Sequence, residues 1–89
     1  MSDVEACKRE LFSIVDGGSI DPAEDARQMT RHFCAVLSAS YLDRLQAELD
    51  NELFAWRRQV PSAHTNRHDR TIAVLAEALK VLTARKKGP

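Results

Sequence analysis

The sequence predicts an all-α protein, a small bundle of three to four helices completed by homodimerisation. Three observations carry this. Apolar residues keep helical spacing over most of the 89 residues. Between Asp21 and Val60 the apolar stripe changes face near Ser38-Ala39-Ser40. The single strand-like stretch, Leu11 to Val15, has no second strand in the chain to pair with. At about 100° per residue, Leu42, Leu45, Leu49, Leu53, Trp56 and Val60 fall within roughly 80° of one another on the helical wheel. Ala26, Met29, Phe33, Val36 and Leu37 cluster roughly 160° away.

The first helix opens at Ser2, where Ser2-Asp3-Val4-Glu5 has the pattern of a capping box. Val4, Cys7, Leu11 and Ile14 form its stripe, and Gly17-Gly18 ends it. The competing reading, a strand over Leu11 to Val15, would pair with a second subunit, since Ile14 and Val15 are β-branched. The second helix has the clearest start. Asp21 offers an N-cap acceptor, Pro22 sits at N1 where its missing N–H costs nothing, and Glu24 places a carboxylate at N3.

Ser40-Tyr41-Leu42-Asp43 is able to cap a new, third helix, although serines alone do not break one. A continuous rod from Pro22 to Gln59 is the alternative. Pro61 disfavours helix at Val60, so the third helix stops near Gln59. Residues 61–66 read as a turn, with Asn66 or Asp69 capping the fourth helix. That helix carries Ile72, Leu75, Ala76, Leu79 and Leu82 on one face and Val74 and Val81 on the other, the pattern of a sandwiched helix. Arg85-Lys86-Lys87 close it, matching the negative helix end.

Length makes this one domain, residues 1–89, burying only about 60–65% of its unfolded surface. The opening ten residues are charged where a secretory signal would be apolar, and no apolar run is long enough to span a bilayer. A reduced, cytoplasmic protein is expected, with Cys7 and Cys34 as small apolar helix residues. Net charge is zero but divided: residues 1–56 hold 11 acids and 5 bases, residues 57–89 hold 8 bases and 2 acids. Such a split points to a dipolar surface or to complementarity between the halves across an interface.

No catalytic constellation is readable. The serines form no nucleophile elbow, and Gly17-Gly18 lacks the lysine and third glycine of a phosphate loop. His64 and His68 have the i,i+4 spacing of two ligands but no intervening acid and no obvious third ligand. His32, beside Phe33, reads as a boundary residue. No enzyme activity, cofactor or metal is therefore expected.

Binding is the reading that survives. A long third helix and a two-faced fourth helix exceed what a short first helix and half of the second can cover. Each large side chain left exposed forfeits on the order of 1.5–3 kcal/mol. Leu45, Leu49, Leu53, Trp56, Val74 and Val81 are thus the expected dimer interface. Phe54 lies roughly 100° off the third-helix stripe and is a candidate anchor for a partner, with Arg57 and Arg58 one turn later and Tyr41 in reserve. The expected function is a small regulatory protein that sequesters or modulates a larger one, such as an antiactivator or inhibitor of a transcription regulator.

DNA binding through the basic turn around Pro61 ranks second. Arg57, Arg58, Arg67 and Arg70 gather there with His64 and His68, and helix–turn–helix geometry would put Arg67, His68 and Arg70 in the first turn of the next helix. The turn is long, lacks the usual glycine, and faces an acidic half that repels phosphate.

The stretch Leu11-Phe12-Ser13-Ile14-Val15-Asp16-Gly17, with Ala23, Asp25-Ala26 and Leu37-Ser38 after it, resembles a family of short, uncharacterised, helical bacterial proteins. Those share a Leu-Phe-x-Val-x-x-Gly opening and a following amphipathic helix; Ile72 to Leu79 is similar to their last helix. The resemblance implies a helical fold and brings no site residues.

Overall fold

The computed structural model describes residues 3–18, 20–59 and 66–87, which form α1 (Asp3–Asp16), α2 (Pro22–Val36), α3 (Ala39–Arg58) and α4 (Asn66–Lys87). Among the described residues there is no strand. The strand alternative at Leu11 to Val15 is corrected: the segment is the last part of α1, with Leu11, Ile14 and Val15 buried. Helix satisfies these backbone groups locally, where a lone strand leaves them unpaired. The capping box at Ser2 lies outside the described residues. At the other end, the Gly17 N–H closes on the Ile14 carbonyl at 3.4 Å, and Gly18 leaves the helix at φ 72°.

The start of α2 follows from its residues. The Asp21 carboxylate accepts from the Glu24 N–H at 3.1 Å, Pro22 opens the helix, and Glu24 and Asp25 face the positive helix end. The rod alternative is also corrected. Leu37 (φ −101°, ψ 153°) and Ser38 (φ −71°, ψ 159°) are extended and interrupt the helical path. The Leu37 N–H still reaches the Phe33 carbonyl at 2.9 Å, while Ser38 Oγ accepts from the Tyr41 N–H at 3.5 Å. Two extended residues turn the chain, which is why the apolar stripe jumps there. The cap is Ser38 rather than Ser40. The turn around Pro61, with Val60 and His64, lies outside the described residues. Because α4 already runs from Asn66, Asp69 stands in its first turn and does not cap it.

Helices α1 and α4 each pack against all three others, while α2 and α3 each pack against both of them. On α4, Thr71, Val74, Leu75, Ala78 and Leu82 are buried. The helix is sandwiched as its two apolar faces require, but within one chain. That changes the account of the expected dimer interface. Leu45 and Leu49 are fully buried, Leu53 and Val74 nearly so, and only Trp56 and Val81 keep partial exposure. The four buried residues are filled core sites, because α1 and α4 together cover more of the α3 stripe than helix lengths alone indicated.

Ion pairs tie the helices together at the rim of this core. Lys8 of α1 lies 3.4 Å from Glu48 and 3.5 Å from Glu52 of α3, and Arg27 of α2 lies 2.9 Å from Glu77 of α4. Burial acts to lower the Lys8 pKa, but the bond to Glu48 and the charges of Glu48, Glu52 and Glu5 outweigh it and raise it. Asp16 meets Arg67 at 3.0 Å, and Asp43 meets Arg85 at 2.7 Å and Lys86 at 3.1 Å. In these last pairs the acidic first half meets the basic second half inside one chain.

Candidate protein-binding surface

Sequence spacing turns Phe54 away from the core stripe of α3, and the structure leaves it 63% exposed. The Arg58 guanidinium lies over its ring, 5.5 Å from the centroid, a cation–π contact that spreads positive charge over an apolar anchor. Arg57, about 60° around the helix from Phe54, is exposed as well. Among the described residues, no carboxylate pairs with Arg57 or Arg58.

Beside this patch an open groove of about 440 Å³ runs between α3 and α4, lined by Leu53, Arg57, Ala76, Leu79, Lys80, Thr83 and Ala84. Its origin is in side-chain size. The antiparallel register that brings Asp43 to Arg85 and Gln46 to Thr83 sets Ala76 opposite Leu53. Ala76 is too short to fill the seam, and Ala84 lines the groove about two turns further along α4. The floor is apolar and the lip is cationic. Lys80 is 78% exposed and only loosely matched by Glu77 at 3.8 Å, because Glu77 is already held by Arg27.

The seam continues toward the start of α3 as a more polar recess of about 340 Å³ that includes Asp43, Gln46, Asp50, Leu79, Thr83 and Lys86. Gln46 Nε2 donates to Thr83 Oγ1 at 3.4 Å, and its Oε1 is buried without a partner. The Asp43 carboxyl titrates below its ordinary value because Arg85 and then Lys86 hydrogen-bond its charged form.

Not all expected binding residues converge. Phe54, Arg57 and Arg58 form one patch. Tyr41, 38% exposed, stands about 20 Å away along α3 and roughly 140° around it. Trp56 is partly buried against the core and meets the His68 ring at 5.6 Å between centroids. Sequence reading missed Ala76, Leu79 and Lys80. The spacing of Ala76 and Leu79 marks a core face, and only the packing of α3 beside them turns it into a groove.

Two of the four arginines of the basic segment serve the fold. Arg67 bonds Asp16, and Arg70 donates to the Ile14 carbonyl at 3.4 Å, so both serve the C-terminal end of α1. Cys7 is buried and Cys34 half-buried, both as free thiols. Burial pushes the Cys34 thiol up, with Arg85 partly opposing. Among the described residues, no group of three or more His, Cys, Asp or Glu side chains is placed to hold a metal ion, and no helix is long and apolar enough to cross a membrane. No family model, no curated protein and no solved structure matches this chain.

Proposed function

We propose that this protein is a small regulator that works by binding a larger protein, sequestering or modulating it, with the Phe54–Arg57–Arg58 face of α3 as its contact surface. The observation that carries the reading is the exposed phenyl ring with Arg58 over it, next to an apolar groove lined by Arg57, the two arginines having no counter-charge among the described residues. An aromatic anchor with flanking arginines is the composition of an interface hot spot. A transcription regulator is the kind of target this reading has in view.

The homodimer belongs to the proposal with narrower support, since only Trp56 and Val81 of its expected interface keep exposed surface. DNA binding has less behind it, because Arg67 and Arg70 are engaged with α1. Affinity capture from the native host, run in parallel with wild type and Phe54→Ala and read by mass spectrometry, tests the main claim. One larger protein held by wild type and lost with Phe54→Ala supports it; identical capture profiles overturn it. Light scattering at low micromolar concentration tests the dimer, and a monomeric mass removes it without touching the Phe54 face.

A further inference from the structure

From the α3–α4 groove we infer that the partner segment is an amphipathic helix whose apolar side is bordered by Asp or Glu; this rests on the protein-binding reading above. Three features converge. The floor, Leu53, Ala76 and Leu79, is apolar, and the lining follows α4 from Ala76 to Ala84, about 12 Å, a length that suits a helix docked at i, i+3, i+4 and i+7 anchors. Phe54, next in sequence to the groove-lining Leu53 and about one turn before the groove-lining Arg57, is more than half exposed and forfeits its burial energy until something covers it. The charges at this end are mainly cationic: Arg57, Arg58 and Lys80, with Glu77, the carboxylate beside Lys80 at 3.8 Å, held more closely by Arg27.

Charge complementarity selects the occupant. Two arginines without counter-ions beside a low-dielectric floor favour carboxylates and penalise cations, and Arg supplies the paired donors that carboxylates accept. The seam's other half carries Asp50, and its cation Lys86 is already matched by Asp43, so the acidic residues of the incoming helix belong over the Arg57–Lys80 end. A second copy of this chain fits less well. Laid antiparallel on itself, α3 brings Asp50 against Asp50 of the copy near the centre, and its Asp43 is already held by Arg85 and Lys86.

The test uses the full chain and a panel of fluorescein-labelled helical peptides with identical leucine positions, flanked by Glu in one set and by Lys in the other. Anisotropy titration is expected to show saturable binding of Glu-flanked peptides, at least about tenfold tighter than their Lys-flanked counterparts. Phe54→Ala and the double variant Arg57→Glu/Arg58→Glu should each weaken it about tenfold or more, with Lys80→Glu as a third, independent change. These side chains are exposed, so circular dichroism should show all variants folded. Added salt should weaken the Glu-flanked set as the Debye length shrinks.

Four results overturn the inference: no binding in either set, equal binding of both, affinity insensitive to all three variants, or a dimer mass that is lost in Phe54→Ala. A labelled DNA duplex bound with the same variant sensitivity also overturns it. A host protein captured through Phe54 whose contacting segment is not acidic removes this inference and leaves the functional reading standing. Capture that ignores Phe54 removes both.

Discussion

Arg67, in the first turn of α4, hydrogen-bonds Asp16, the last residue of α1, at 3.0 Å. One turn further along, Arg70 donates to the Ile14 carbonyl at 3.4 Å. The last turn of α1 contains no basic residue of its own, so the cations that complement its negative end come from the start of α4. The two arginines differ in setting. Arg67 and Asp16 are both more than half exposed, and such pairs contribute about 0–1 kcal/mol.

Arg70→Ala is therefore expected to cost more than Arg67→Ala. It removes a half-buried side chain and its bond to a helix-end carbonyl, about 1–2 kcal/mol, against less than about 1 kcal/mol for Arg67→Ala. Urea unfolding of the two variants gives the order directly. A larger loss for Arg67→Ala would mean that the exposed pair, and not the capping bond, holds α1 to α4.

Gly18 isolates a backbone effect. Its φ of 72° is left-handed, and a Cβ placed there meets nothing within 4 Å. Gly18→Ala should destabilise by about 1–2 kcal/mol through conformation alone. At Gly17 a Cβ instead meets the Ser13 carbonyl at 3.0 Å. Thermal melts of Gly18→Ala and Gly18→Asn check the account, because Asn tolerates this region better and should lose less stability.

The elements with local signals were legible in the chain. Asp21-Pro22-Ala23-Glu24 marks the start of α2 by chemistry that acts within one turn, and the structure puts the cap there. The jump of the apolar stripe marked the α2–α3 break, though Ser38 and not Ser40 became the cap, since either serine is able to accept the N–H of a new helix. What spacing does not encode is which neighbour covers a stripe. Leu45, Leu49 and Val74 read as surplus because the sequence does not state that α1 and α4 each touch every other helix. Phe54 was identifiable because it lies off every stripe. The groove beside it depends on Ala76 standing opposite Leu53, a relation fixed only by tertiary register.

Acid should act on the α3–α4 seam through Asp43. Arg85 and Lys86 lower its folded pKa below the ordinary 3.8, so its contribution is present above that value and is lost as pH falls through the folded one. In a carboxyl-carbon NMR titration, Asp43 is expected to titrate below 3.8 and to move back toward it in Arg85→Gln/Lys86→Gln. An unchanged midpoint in that double variant would remove the assigned cause.

Two neighbouring residues on α3 should respond in opposite ways, and their contrast tests the fold and the binding surface together. Leu49 is fully buried between α3 and its packing partners, whereas Phe54 is 63% exposed. Leu49→Ala removes buried methyl groups and leaves a cavity, which costs about 2–5 kcal/mol. In a domain of this size that is a large part of a total stability on the order of 5–15 kcal/mol. Phe54→Ala should change stability by less than about 1 kcal/mol, since little of the ring is taken out of water in the free chain. The same pair inverts in a binding assay. Phe54→Ala should lose partner affinity by about 2 kcal/mol or more, the mark of a hot spot. Leu49→Ala, measured at a temperature where it is still folded, should retain it. Thermal melts and titrations of both variants make the comparison. A large drop in melting temperature for Phe54→Ala would place the ring in a packed interface of the free protein and withdraw it as the anchor for another protein.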